Sequence, residues 1–235
     1  MLAPELLAGM ASACWAIGAL FSANAASEMG AFAFTRWRLF FAMCLLWLAA
    51  LYVGRWPELT FESIAWLSLS SWIGILVGDT ALFVCMNRLG PRRSGVLFAT
   101  HALFSALFAW LFFGETLWGW TLMGSGVLVS GVMVATLWGR REEETHAWEN
   151  TSGALWIGVA MGLLAAVGQA VATLMMKPLM STGIDAVSAS AVRATASFAA
   201  HVLLLWCGLS LSKLKNPLNW KNLLNTALSA TVSMV

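Results

Sequence analysis

Apolar positions in this chain gather into long unbroken runs, and the polar positions between them are few. Residues 94–113 run apolar with His101 as the only ionisable side chain, and residues 117–138 carry no charge at all. Gly114, Glu115 and Thr116 alone separate the two. Each run is about 20 residues, the length a helix needs to cross ~30 Å of hydrocarbon. So short a break leaves no room for a domain, and the pair predicts a tight antiparallel hairpin with the carboxylate of Glu115 at its tip. The same pattern recurs at residues 6–26, 33–53, 64–85, 153–176 and 186–209, and a further run starts near Leu223. Helices are predicted throughout, because a helix satisfies its own backbone groups where lipid offers no partners. Barrel strands would alternate apolar and polar residues over about ten positions, and these runs do not. The predicted fold class is an all-α polytopic membrane protein.

Residues 139–152 hold Arg140-Arg141-Glu142-Glu143-Glu144 and His146 and read as a solvated linker. They divide the chain into a five-span unit, 1–138, and a second set, 153–235. A second hydrophilic loop carries Lys213, Lys215, Asn216, Pro217 and Lys221. The second set echoes the first. Gly9 through Trp15 lines up with Gly162 through Gly168 at an offset of 153, and Arg38 with Arg193 at an offset of 155. A five-span unit begun twice is what an internal transporter repeat looks like, and an odd number of spans inverts the second copy. The last run is cut at Val235, so the second unit reads as incomplete and the chain as truncated at its C-terminus.

Charge placement adds an orientation. Arg88, Arg92, Arg93, Arg140, Arg141, Lys213, Lys215 and Lys221 follow spans three, five and seven, whereas only Arg55 and Lys177 follow spans two and six. The positive-inside rule then puts the first group in the cytoplasm and the N-terminus outside. No basic n-region precedes the first apolar run, which predicts a retained helix rather than a cleaved signal peptide.

Composition excludes other classes. The chain is 60% hydrophobic and 10% charged, while a soluble globular protein is about a quarter charged. No basic run is dense enough to suggest nucleic acid. Cys14, Cys44, Cys85 and Cys207 show no metal-binding spacing and read as small hydrophobes, so neither a metal nor another cofactor is expected. No catalytic motif emerges, and an enzyme is not expected.

Ionisable groups inside hydrocarbon are costly and are functional candidates by default. Asp79 follows Gly74 and Gly78; it can carry a proton, pair with an arginine, or cap a broken helix near the interface. His101 shares a helical face with Ser94 and Ser105, which can line a water-filled path or make interhelical hydrogen bonds. Arg193 lies on a stripe with Ser190 and Ser197, with His201 a little further round. Arg38 and Arg193 read mainly as snorkelling or charge-pairing residues, and Arg36 lies near the membrane surface. Gln169 with Thr173 gives the sixth span a polar face. Trp15 is either a cavity wall or one of many lipid-facing tryptophans. Gly124 with Gly131, and Gly158, Gly162, Ala166 and Ala170, recur at helix-packing intervals.

These residues resemble the EamA-type members of the drug/metabolite transporter superfamily. The resemblance is carried by Gly78-Asp79-Thr80-Ala81-Leu82-Phe83, by Arg88-Leu89-Gly90-Pro91-Arg92-Arg93, by the stretch from Leu103 to Glu115, and by the glycines of the fifth span, Gly124 to Gly131. It implies ten transmembrane helices in two inverted five-helix repeats around a central cavity. It also implies secondary transport of small metabolites, often amino-acid-like compounds or drugs, commonly as export from a bacterial-type inner membrane. By position, Glu115 matches the family's turn glutamate and Arg38 its second-helix arginine, both structural. The family often carries a proline where this chain has Ala102. On this reading Asp79, His101, Ser105, Gln169 and Trp15 are pathway residues. The partners are the lipid bilayer, a small-molecule substrate and a proton or other coupling ion, with homo-oligomerisation left open. The competing reading is a membrane assembly partner without transport activity, or an inactive truncated fragment.

Overall fold

The computed structural model describes residues 4–53, 56, 59–115, 119–137 and 154–233. Among these the chain is helical and holds no strand. In order, the helices are α1 (Pro4–Met29), α2 (Ala31–Val53), α3 (Phe61–Ser71), a π-helical stretch (Trp72–Asp79), α4 (Thr80–Ala99), α5 (His101–Phe113), α6 (Trp120–Leu137), α7 (Leu155–Ser181), α8 (Ala186–Trp206) and α9 (Trp220–Val232). Four stretches of the described residues are long and apolar enough to span a bilayer: Ala31–Val53, the composite Phe61–Phe113, Leu155–Ser181 and Ala186–Trp206. The all-α polytopic fold expected from the runs is the fold observed. The hydrophilic linker 139–152 lies outside the described residues.

The predicted third and fourth spans differ in their interior. The third begins as α3, passes through the π-helical stretch and continues into α4. The turn to the fourth falls inside α4 at Gly90, whose φ of 83° and ψ of 163° interrupt the helix. Glycine tolerates that φ, and Pro91, lacking an N–H, starts the helix that follows. The predicted run 95–113 is itself divided at Thr100, so Ser94 and His101 do not share one continuous helical face. Ser94 is buried, and its hydroxyl donates to the carbonyls of Gly90 (2.9 Å) and Pro91 (3.0 Å). At the end of α5, Gly114 adopts φ 65°, and its N–H and that of Glu115 return to Trp110 and Ala109 in a C-terminal cap. Helix α7 runs further than expected, so Lys177 lies within the helix rather than in a loop.

Helix α7 is the hub: α3, the π-helical stretch, α4 and α5 all pack on it, while α2 packs on α8 and α9, and α1 on α9. Lipid gives helices no hydrophobic reason to associate, so close backbone approach and interhelical hydrogen bonds must supply it. Part of the small-residue pattern does this. A Cβ on Gly158 would come within 2.6 Å of the Leu89 side chain, and one on Gly162 within 2.9 Å of Leu97. Ala166 and Ala170 are fully buried. Gly124 and Gly131 do not follow suit: no atom among the described residues lies within 4 Å of a Cβ at either. Their spacing matches a packing motif, but among the described residues α6 presents these glycines to no neighbour.

Serines stitch the bundle. The Ser70 hydroxyl donates to the Ala172 carbonyl at 2.9 Å. The Ser71 hydroxyl donates to the Arg193 carbonyl and meets the Ser197 hydroxyl, which also reaches the Ser71 carbonyl at 3.0 Å. Trp72 donates to the Ala196 carbonyl at 3.2 Å, and Trp47 to the Thr195 hydroxyl at 2.8 Å. Thus α3 grips α7 and α8 with its last two residues, immediately before the π-helical stretch begins. Ser71→Ala should lower the unfolding free energy by roughly 0.6–1.7 kcal/mol, the range for such bonds in membrane bundles. Unfolding in mixed micelles measures it, and an unchanged midpoint would show the stitch to be idle.

Large apolar side chains cover the outside. Tyr52, Phe61, Trp120, Trp206 and Trp220 are all exposed and all sit at or next to helix ends. Amphipathic rings at that level suit the membrane–water interface.

Candidate functional site

A cavity of about 560 Å³ opens among α1, α4, α5, α7, α8 and the π-helical stretch. Its walls include Trp15, Asp79, Phe98, His101, Gln169, Ser190 and Arg193. These residues come from both sides of the 139–152 linker, so the cavity belongs to neither half alone.

The charged floor is built from facing helices. Asp79 ends the π-helical stretch, and its Oδ2 accepts a hydrogen bond from Arg38 Nη1 at 3.0 Å. The side chains of Arg38 and Asp79 are 7% and 15% exposed. Arg38 Nη2 donates to the Ser233 hydroxyl at 3.1 Å, and its guanidinium lies 5.6 Å from the Phe83 ring centroid. Arg38 is thus anchored on α2, bound to the carboxylate and backed by an aromatic face. Arg193 reaches the same cavity from α8. Its Nε is buried without a hydrogen-bond partner among the described residues. Its Nη2 and the Gln169 Oε1 converge on Gly74, at 3.4 and 3.5 Å from where a Cβ would stand. Gly74 leaves room there for both head groups.

Opposite the charges stands a wall of rings. Trp15 stacks on Phe98 with centroids 5.0 Å apart and planes at 11°, and Phe98 stacks on His101 at 5.1 Å and 27°. His101 Nδ1 lies 2.9 Å from the Phe98 carbonyl. A carbonyl only accepts, so Nδ1 carries a proton and donates it.

Residues 2–137 match the EamA-like transporter family, more than half of the chain. The chain belongs to that family. It is therefore a multi-pass helical membrane protein of a family whose members are transporters rather than enzymes. A search of curated proteins returns no match.

In this EamA-like chain the structure brings together Trp15, Asp79, His101, Gln169 and Arg193, all singled out in the sequence. It does not bring Ser105 to the cavity, although Ser105 follows His101 by four residues on the same helix α5. Thr173 is exposed and its hydroxyl bonds back to the Gln169 carbonyl, so it adds nothing to a polar face. The expected stripe on α8 splits in three directions. Ser190 and Arg193 face the cavity, Ser197 meets Ser71, and His201 is fully buried beside Thr80 (3.3 Å) and Phe32. Arg36 is buried and donates to the Ser212 carbonyl and hydroxyl at 2.9 and 3.1 Å. Glu115 forms an ion pair with Lys177, which also lies over the Phe113 ring. Both partners are about half exposed, 49% and 50%. Such a pair contributes about 0–1 kcal/mol, so Glu115→Gln should leave the unfolding midpoint within a few degrees of the parent, measured in detergent.

No residue pattern marks Ser233, Gly95 or Ser12 as cavity residues. They are small residues in apolar runs, and their position follows from helix rotation that composition does not encode.

Proposed function

We propose that this protein is a secondary transporter of the inner cell membrane that carries small metabolites or drugs by alternating access through the cavity at Asp79 and Arg193. The observation that carries the reading is the lining itself. Polar and charged side chains from both sides of the linker meet on one open space inside an otherwise apolar bundle, where an ionisable group without a task is costly. On this reading the two units are inverted repeats that rock about the cavity. The π-helical stretch fits the role, because such irregular turns concentrate at functional sites.

Reconstituted into proteoliposomes, the purified protein should move at least one compound of a broad metabolite panel faster than protein-free vesicles do. Absence of flux for the entire panel would favour the assembly-partner reading. Where protons drive the flux, Asp79 is the loading carboxylate, with Arg38, Arg193 and His101 as the ionisable groups around it. Asp79→Asn should then remove the pH dependence of flux, and a retained dependence would take the proton away from Asp79.

A further inference from the structure

We propose that the cargo is an anion, a carboxylate on a planar apolar body, and that the Arg193 guanidinium is its docking group. The proposal rests on the transport reading above and deepens it.

The first support is the charge count in the cavity. Asp79 is its lining carboxylate among the described residues, and Arg38 already engages it at 3.0 Å. Arg193 is then a second guanidinium for one carboxylate; the Nε of both arginines is buried and unpartnered among the described residues, but only Arg38 has a carboxylate within ion-pair distance. A buried guanidinium that must share its carboxylate with another is left only partly compensated. An entering carboxylate would complete that compensation and gain charge-assisted hydrogen bonds from the guanidinium fork. Gln169 stands beside Arg193 as a further hydrogen-bonding group. The Trp15–Phe98–His101 stack offers a flat apolar surface for the remainder of such a molecule.

The second support is independent of the first. The segment around Asp79 separates this cavity from another, of about 1040 Å³, on its opposite face. Leu76, Val77, Thr80 and Ala81 line that second space, whereas Ile75 and Asp79 line the first. Arg88, Lys213 and Lys215 stand around it, and no carboxylate is among its lining residues. The loop that carries the lysines is held in place. The Lys215 N–H donates to the Met29 carbonyl at 3.1 Å, and Arg36 holds Ser212. The second compartment therefore carries an excess of positive charge in its lining, and the first gains one only when Arg38, bound to Asp79 behind the lining, is counted with it. A low-dielectric cleft lined by one sign of charge concentrates the opposite ion.

The test places a thiol in the cavity. Gly95 lines it, and a Cβ there meets no atom within 4 Å. In a background with the native cysteines replaced, Gly95→Cys is reacted with anionic ethylsulfonate and cationic trimethylammonium methanethiosulfonates. The anionic reagent should react faster after correction for intrinsic reactivity, by on the order of tenfold, as expected for a nearby unit charge at an effective dielectric of about 20. Arg193→Gln should abolish that preference and Arg193→Lys should retain it. Equal rates in the parent, or a preference unchanged in Arg193→Gln, would overturn the proposal while leaving transport intact. No reaction with either reagent would instead contradict the water-filled path and with it the transport reading. The parent comparison alone decides the matter should an Arg193 variant fail to fold. In proteoliposomes, matched acid and amide pairs such as benzoate and benzamide supply the second arm. Carboxylates should compete with the transported compound and their amides should not, and the reverse order would also overturn the assignment.

Discussion

Arg38→Met should unfold this bundle more readily than any lipid-facing substitution, and Arg38→Met combined with Asp79→Leu should recover part of the loss, since Arg193 then keeps no carboxylate beside it. The two side chains are buried, 7% and 15% exposed, and 3.0 Å apart. Removing one partner strands a charge inside the bundle, at a cost of roughly 3–5 kcal/mol, whereas replacing both by apolar groups of similar volume is often close to neutral. The Phe83 ring beside Arg38 leaves an apolar surface for a methionine to cover. Unfolding midpoints of the parent, the two single variants and the double variant form a cycle that isolates the pair. Single and double variants of equal stability would show that the pair does not hold α2 to the π-helical stretch. The double variant should regain stability without regaining flux, because the cavity then lacks its carboxylate.

The second large effect is steric. A Cβ on Gly74 would stand 2.5 Å from the Ala172 Cβ, and one on Gly168 would stand 3.0 Å from the Ile73 carbonyl oxygen. Neither obstacle is a flexible side-chain end, so α7 and the π-helical stretch must separate. Overpacking of this kind costs about 1–3 kcal/mol. Gly74→Ala should also displace Arg193 and Gln169, whose head groups occupy the space beside it. Transport should therefore fall by more than the loss of folded protein accounts for. Gly124→Ala and Gly131→Ala are the controls, since a Cβ at either meets nothing among the described residues. Replacing glycine by alanine there should be neutral or stabilising by up to ~1 kcal/mol through helix propensity. Equal behaviour of the two pairs would contradict the close crossing of α3's continuation over α7.

Much of this molecule is legible in its sequence, for a specific reason. Hydrocarbon imposes one length and one backbone solution, so the apolar runs mark the helices directly. The expense of burying charge makes Asp79, Arg193 and His101 conspicuous, and the structure places all three on one cavity. Pairing of Asp79 with an arginine was one of two readings the residues allowed, and Arg38 is the partner. What stayed hidden depends on rotation and phase. Ser94 shares a spacing with His101 but not a continuous helix, because Thr100 interrupts it, and Ser105, one turn past His101 on α5, does not line the cavity. Gly124 and Gly131 share a spacing with Gly158 and Gly162, yet only the latter pair meets a neighbour. The π-helical turn before Asp79 shifts the phase of everything after it, and no residue pattern announces it. Ser71, a small polar residue in an apolar run, gave no signal of its role as the stitch to α8.

The central claim is that cargo passes through the cavity at Asp79 and Arg193. A reversible plug tests it most directly. Gly95→Cys protein in the cysteine-replaced background is reconstituted, its flux is measured, the thiol is capped with a bulky methanethiosulfonate, and the cap is then removed with a reductant. The account predicts that flux falls to the level of protein-free vesicles on capping and returns on reduction. Flux that persists with the cavity thiol fully capped would contradict it.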